Sequence, residues 1–221
     1  MARAGRTALV VRGGWAGHEP VAASDRYAER LERDGYRVAV SDTLDSYLDA
    51  ELLAGTDLVV QCWTMGAITE AQAAGLTAAV RAGTGLAGWH GGIVDAFRES
   101  TEYQLMTGGQ FVHHPREHVR YLVTPVGEHP ATAGVTPFEL TSEQYYLHLD
   151  PAVVPLAVTE FAADPDHPEL TGVTVPVAWA RSWGAGRVFV TALGHTPADL
   201  AHPQADLMLR QGMHWATRGA A

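Results

Sequence analysis

The chain has 221 residues, 47% of them hydrophobic, and a formal net charge of -10 with histidines counted neutral. This composition predicts one domain over residues 1–221 with a sizeable core, and it argues against a nucleic-acid partner or an anionic membrane surface, which both need clustered positive charge. No apolar run is long enough to cross a membrane, and residues 1–6 lead into a strand without a signal-peptide core, so we expect a cytoplasmic location. The single cysteine, Cys62, excludes an internal disulfide and a multi-cysteine zinc site.

The first ninety residues alternate between short apolar strands and helical segments. Because the strands are continuously apolar and joined by helices, we expect a parallel, doubly wound sheet that binds its ligand beyond the carboxyl ends of its strands. The strands are predicted at residues 7–11, 36–40, 57–61 and 85–89, and the helices at 21–34, 44–53 and 70–82.

The second part of the chain mixes strands with longer polar loops. A loop with two adjacent histidines is expected at 111–115, and residues 138–146 mix polar and aromatic side chains. The absence of a repeat or linker in the sequence favours a single domain. Helices are predicted at 93–105 and 203–217, and strands at 119–123, 153–159, 175–181 and 186–192, with 177–183 and 187–192 forming a hairpin.

A glycine-rich corner follows the strand at 85–89. The segment from Gly88 to Gly92 reads Gly-x-His-x-Gly, which is the nucleophile-elbow pattern with His90 where serine or cysteine would stand. Such an elbow turns sharply from strand to helix, needs glycine where a Cβ would clash, and presents its central side chain at the carboxyl edge of the sheet. We therefore predict a catalytic role for His90; the alternative is a glycine-rich loop with an incidental histidine.

His195 and Glu143 are the other catalytic candidates. His195 directly follows the last strand, where it could act as a general acid or base, although a surface loop histidine would give the same pattern. In an extended segment Glu143 and Tyr145 share one face and could handle protons or hydroxyl groups. The alternative for Glu143 is a solvated side chain on an edge strand.

Aromatic and histidine side chains at the same edge, or close to Glu143 in sequence, are candidates for contacting a substrate. Flat aromatic faces suit the stacking of a sugar ring. Because His113 and His114 are adjacent, they point apart on a strand and at most one can join a site directly. The predicted substrate-binding residues are Trp15, His18, Trp63, His113, His114, Tyr145, Tyr146 and His148.

No cofactor is predicted, and a divalent metal ion stays open as a weaker alternative. The short-range spacing that fits a metal site, His114 to His118, is interrupted by Pro115 and leaves little room for a helical turn. The sequence has no Gly-x-Gly-x-x-Gly and no Walker pattern, which argues against nucleotide binding. The candidate ligands are His90, His148, His195, Glu143 and one of His113 or His114.

Taken together, these motifs resemble those of the ThuA-like, or trehalose-utilisation, family almost from end to end. The resemblance implies a class I glutamine amidotransferase-like fold, an α/β, flavodoxin-like three-layer sandwich with a mainly parallel central sheet. It rests on Gly13-Gly14-Trp15 with His18, Gly88-Trp89-His90-Gly91-Gly92, Gly108-Gly109-Gln110-Phe111 with His113-His114-Pro115, Glu143-Gln144-Tyr145-Tyr146, Pro176-Val177-Ala178-Trp179, Gly186-Arg187-Val188-Phe189 and Ala192-Leu193-Gly194-His195.

In amidotransferases of this fold, the elbow holds a cysteine nucleophile and a histidine after the last strand completes a dyad. Here the elbow residue is His90, and Pro197 stands where a glutamate usually follows the histidine matched by His195, so we expect no cysteine-dependent glutaminase activity. The family is associated with trehalose-like disaccharides and their keto derivatives. The resemblance thus implies a sugar isomerase, lyase or hydrolase that transfers protons through His90, His195 and Glu143.

Other interpretations stay open. One is a non-catalytic sugar-binding or regulatory protein on an amidotransferase-like scaffold, and another is a metal-dependent hydrolase. The expected partner is a small carbohydrate, and homo-oligomerisation stays open.

Overall fold

The computed structural model describes residues 5–220; Met1 to Ala4, part of the segment expected to lack a signal peptide, and Ala221 lie outside the described residues. The strands are β1 (Thr7–Gly14), β2 (Arg37–Ser41), β3 (Leu58–Thr64), β4 (Gly85–Trp89), β5 (Gly109–His113), β6 (Val119–Pro125), β7 (Phe138–Ser142), β8 (Tyr146–Leu149), β9 (Val154–Glu160), β10 (Thr174–Trp183) and β11 (Gly186–Thr191). The helices are α1 (Pro20–Arg33), α2 (Ala50–Gly55), α3 (Glu70–Arg81), α4 (Gly91–Val94), α5 (Thr101–Thr107), α6 (Pro197–Leu200) and α7 (Pro203–Ala216).

Nine strands form one mixed sheet in the order β2-β1-β3-β4-β11-β10-β9-β6-β7, and β5 pairs with β8 in a separate two-stranded sheet. The pairs from β2 to β11 are parallel, as predicted from the continuous apolar strands. The predicted hairpin is confirmed as β10 and β11, which pair antiparallel. β4 and β11 lie side by side at the centre, so the loops after them open at the same edge.

Helices cover both faces of the sheet. Successive residues of a strand point to opposite faces, and β1 sends Val10 into one apolar cluster and Val11 into the other. Tyr27 of α1 and Met208 of α7 belong to the first cluster, and Leu76 of α3 belongs to the second. The fold is therefore the α/β, flavodoxin-like three-layer sandwich that the sequence predicts. No helix within residues 5–220 has the length and apolar character needed to span a membrane.

Two predicted helices differ from the observed ones. Residues 44–48 form a 3-10 turn, and α2 starts a new helix after Asp49, whose carboxylate accepts a hydrogen bond from the Leu52 backbone N–H at 2.9 Å. The predicted helix over 93–105 is wrong, because Phe97 adopts a left-handed conformation with φ 49° and Ala96 forms a bridge to Met65. The chain there makes two short helices, α4 and α5.

The predicted loop at 111–115 is also wrong in part. Residues 109–113 form β5, which pairs antiparallel with β8 and carries a register irregularity between Phe111 and His113. This pairing joins segments about forty residues apart, which a local pattern does not reveal. The small sheet brings the histidines at 113–114 next to the segment that follows β7.

Gly212 on α7 provides a test of how tightly the helices pack on the sheet. A Cβ at this position would lie 2.4 Å from ring atoms of Phe189 on β11. We expect Gly212→Ala to lower the free energy of unfolding by about 1–3 kcal/mol, because Phe189 is fully buried and cannot move freely. Denaturant unfolding measures the change.

The matched control is Gly55→Ala at the end of α2, where a Cβ would meet nothing within 4 Å. This variant should be neutral or slightly more stable, since alanine favours the helix and restricts the unfolded chain. Equal stability of the two variants would contradict the close packing of α7.

Candidate functional site

The elbow is built as the sequence predicts, with His90 between β4 and α4. His90 has φ 48° and ψ -145°, a conformation that usually costs about 1–3 kcal/mol outside glycine. It is held by a hydrogen bond from its backbone N–H to the Thr191 carbonyl on β11, at 2.7 Å. Gly91 and Gly92 follow because a Cβ there would lie 2.4 Å from His18 Cε1 or 2.9 Å from Cys62 Cα, respectively.

Glu143 lies against two histidines in the short segment between β7 and β8. Its Oε2 atom is 3.1 Å from His90 Nε2 and 3.1 Å from His195 Nδ1. Its Oε1 atom is 3.7 Å from His114 Nε2. The backbone here is fixed by the Tyr121 hydroxyl, which donates to the Glu143 carbonyl at 3.2 Å. The three residues predicted as catalytic are therefore in contact.

A third histidine, His18, completes the group. It lies in a 3-10 turn after β1, is 7% exposed, and its ring centroid is 4.8 Å from that of His90 and 5.0 Å from that of His195. Its Nδ1 atom is 2.9 Å from the Thr64 hydroxyl at the end of β3. We call His18, His90, Glu143 and His195 the His/Glu cluster; each offers one ligand atom, and these atoms all lie within 4.8 Å of one another.

Burial and mutual contact set the charges in the His/Glu cluster. Burial lowers the pKa of His18 to about 3, and it also lowers the pKa of His90 despite the neighbouring carboxylate. Burial alone would raise the pKa of Glu143, but His195 and His90 outweigh it and hold that pKa below its usual range. The Glu143 carboxylate in turn raises the pKa of His195. The cluster thus combines an anionic Glu143, neutral His18 and His90, and a His195 that readily accepts a proton.

Aromatic rings surround the His/Glu cluster. Tyr145 stacks on His90 with ring centroids 4.0 Å apart, and Phe111 contacts Tyr145 at 4.3 Å. Trp15 packs edge-on against His18 at 4.8 Å and is 47% exposed. The predicted substrate-binding residues Trp15, His18, His114 and Tyr145 are therefore all beside the catalytic candidates.

Four other predicted substrate-binding residues point elsewhere. His113 contacts His167 at 5.1 Å, and only its neighbour His114 reaches Glu143, in line with the expected alternation. Trp63 lies close over Gly13, where a Cβ would come within 2.6 Å of its ring. Within residues 5–220, none of the four has a hydrogen bond, ion pair or ring contact with the His/Glu cluster. The four are Trp63, His113, Tyr146 and exposed His148.

The metal-ligand set expected from the sequence also changes. The structure puts His18 into the cluster and leaves His113 and His148 outside it. His118 is exposed and contacts His195 through its ring, at 5.2 Å. Two polar groups that the sequence patterns did not predict also contact the cluster: the Thr64 hydroxyl and the Ala192 carbonyl, which lies 2.8 Å from His90 Nδ1. Thr64 ends β3 and Ala192 directly follows β11. Their position at the carboxyl ends of central strands could have identified them as part of the site.

Comparisons with known proteins agree with the fold. The family model ThuA, described as trehalose utilisation, matches residues 7–216. A ThuA-like protein from Bacteroides uniformis is 17% identical with a TM-score of 0.75, and the match covers 96% of this chain and 91% of that one. A ThuA-like protein from Parabacteroides merdae is 15% identical with a TM-score of 0.77, covering 96% and 89%.

A more distant structure shares the fold over part of its length. A β-galactosidase from Rahnella sp. R3 is 19% identical with a TM-score of 0.57, and the match covers 85% of this chain but 28% of the enzyme. A search of curated proteins gives no match.

Proposed function

The chain belongs to the ThuA family of trehalose utilisation, and from this membership we propose that it is an enzyme acting on a trehalose-like disaccharide or its keto derivative. Family membership points to a role in trehalose utilisation. The reaction class is inferred from the site: proton transfer by the group formed by His90, Glu143 and His195. The observation that carries this proposal is the Glu143 carboxylate lying 3.1 Å from two imidazoles.

The exposure of the side chains indicates how a sugar would approach. The side chain of His90 is 1% exposed, while those of His195 and His114 are 13% and 31% exposed. A substrate that approaches from the side on which His195 and His114 are exposed meets His195 first among the catalytic candidates. The half-exposed Trp15 ring is available there for stacking.

The chemistry fits a sugar that carries a ketone. His195 takes a proton from the carbon next to the carbonyl, and the C–H electron pair forms the C=C bond of an enolate whose oxygen carries the negative charge. Glu143 stabilises the resulting imidazolium. For isomerisation, the His195 imidazolium returns the proton to the former carbonyl carbon, while the hydroxyl on the α-carbon passes its proton to the enolate oxygen and becomes the new carbonyl. For elimination, the enolate re-forms its C=O bond, a C=C bond forms between the α- and β-carbons as the C–O bond at the β-carbon breaks, and the departing alkoxide takes the proton from the His195 imidazolium.

Glutamine hydrolysis is not part of this proposal. The elbow holds His90 instead of a thiol, and the one cysteine, Cys62, is buried with its pKa raised by burial to about 12. A thiol in that state stays protonated and is a poor nucleophile.

Solvent exchange tests the proposed function. The protein is incubated in D₂O with trehalose and with its 3-keto derivative, and NMR follows the hydrogens next to the ketone. We expect deuterium incorporation or consumption of the keto sugar, both slowed about 100-fold or more in His195→Ala. His167→Ala is the matched control, because His167 pairs with Glu169 away from the cluster.

Two outcomes would contradict the proposal. Absence of exchange and consumption for both sugars would exclude this reaction. Heat of binding in calorimetry without turnover would indicate a sugar-binding protein instead of an enzyme.

A further inference from the structure

The orientation of His90 leaves two hydrogen-bond acceptors facing each other. The Nδ1 atom of His90 is 2.8 Å from the Ala192 carbonyl oxygen, which can only accept, so Nδ1 carries the hydrogen. In the neutral ring Nε2 then presents its lone pair, and this atom is 3.1 Å from Oε2 of the Glu143 carboxylate. Such a contact is favourable only with a positive charge between or beside the two atoms.

His18 is fixed in a related way, and His195 offers a nitrogen whose hydrogen-bonding capacity is not used. The His18 Nδ1 atom contacts the Thr64 hydroxyl, and Nε2 makes no hydrogen bond within residues 5–220. The His195 Nδ1 atom is buried and makes no well-aligned hydrogen bond, although Glu143 is 3.1 Å away. Histidines that ligate a metal ion are typically fixed in this manner, with the second ring nitrogen held by a carbonyl or a similar partner.

We propose that His18, His90, Glu143 and His195 together bind one divalent transition-metal ion. Three neutral imidazoles and one carboxylate give a net charge of about -1, which suits a divalent cation. Imidazole ligands favour zinc and its neighbours in the first transition series over magnesium or calcium. The relevant class is thus zinc, cobalt, nickel or iron.

The distances are compatible with a single ion. With bonds of about 2.0–2.1 Å, neighbouring ligand atoms in a tetrahedral site are about 3.3 Å apart. The two 3.1 Å contacts of Glu143 already match this spacing. The widest separation, 4.8 Å, must shorten by roughly 1 Å or more on binding.

The proposed ion lies at the same site as the proposed reaction. Its role as a Lewis acid rests on the proposed function, but the binding of the ion itself does not. A bound ion supplies a Lewis acid beside the sugar carbonyl and replaces protonated His195 as the positive charge next to Glu143. With His195 a ligand of the ion, the proton transfer assigned to it passes to His114, the nearest histidine outside the ligand set, which is partly exposed and lies 3.7 Å from Glu143 Oε1.

The test is metal binding by the purified chain, without any sugar. The protein is stripped with a chelator and titrated with Zn²⁺ by calorimetry, and with Co²⁺ by visible absorption. We expect one ion per chain and a Co²⁺ absorption band of a nitrogen- and oxygen-ligated site. His18→Ala should weaken binding at least 100-fold, and Thr64→Val, which frees His18 Nδ1, by about 10–100-fold.

His167→Ala is the control for ions held by surface histidines and should bind as the unchanged protein does. Circular dichroism checks that each variant is folded, and Thr64→Val keeps the test decisive should His18→Ala fail to fold. Equal affinity of Thr64→Val and the unchanged protein, or the absence of a stoichiometric site, would overturn the inference.

The two proposals fail in different ways. One bound ion without turnover of either sugar would contradict the proposed function and leave the metal site standing. Full turnover by the stripped protein in the presence of chelator, together with no stoichiometric binding, would overturn the metal site and leave the proposed function standing.

Discussion

Replacing Glu143 with glutamine is expected to lower turnover of the keto sugar by about 10²–10⁴-fold, a range typical of the loss of acid–base catalysis. Glutamine has nearly the same shape but no negative charge, so it cannot stabilise a protonated His195 or neutralise a bound cation. Because Glu143 Oε2 touches both His90 and His195, one substitution disturbs the whole His/Glu cluster. Steady-state kinetics should place the loss mainly in kcat.

Glu139→Gln is the matched control for this variant. Glu139 lies on β7, four residues before Glu143, and its largely exposed side chain pairs with Arg120. Exposed pairs of this kind contribute little to stability, so activity and folding should both be preserved. Unchanged turnover in Glu143→Gln would show that catalysis does not need the Glu143 carboxylate, and it would contradict the proposed mechanism.

Replacing Trp179 with alanine is expected to lower the free energy of unfolding by about 3–5 kcal/mol, the usual cost of removing a large buried aromatic side chain. Trp179 on β10 is fully buried, and its indole N–H donates to the Thr107 carbonyl at the end of α5, at 2.8 Å. Its ring occupies the space left open by Gly109, where a Cβ would lie 2.6 Å away. The Trp179 side chain therefore stabilises the packing of α5 and β5 against the main sheet.

Thermal and denaturant unfolding measure this loss. Trp179→Phe should cost less, because it keeps most of the ring volume and removes the hydrogen bond. Trp15→Ala, at a half-exposed position, should change stability by no more than about 0.5 kcal/mol. A loss below about 1 kcal/mol in Trp179→Ala would mean that α5 and β5 are held in another way.

The central part of the fold could be predicted from local patterns. Apolar runs such as 57–61 and 85–89 are short, continuous and bounded by turn residues, and the structure confirms them as buried parallel strands. The break at Phe97 could not be predicted, because it depends on the bridge between Ala96 and Met65. β5 exists only through its pairing with β8, which is a long-range contact.

The candidate site shows the same division. His90 and His195 could be predicted as site residues because each follows a central strand. The alternation of side chains in an extended segment predicts that Glu143 and Tyr145 lie on the same face. Which of the two adjacent histidines at 113–114 approaches Glu143 depends on how β5 packs. The entry of His18 into the cluster depends on the space above Gly91, which requires three-dimensional packing.

The order of strands in the sheet has a consequence for how the chain is made. β4, which carries the elbow, is completed on one side by β3 but on the other by β11, about one hundred residues later in the chain. During synthesis β4 therefore has an unpaired backbone edge until residues 186–191 emerge, and its five residues are all buried in the folded protein; open strand edges of this kind readily pair with other chains. A chain truncated before β11 should aggregate, and the backbone bond from His90 to Thr191 forms only once the last strand is inserted.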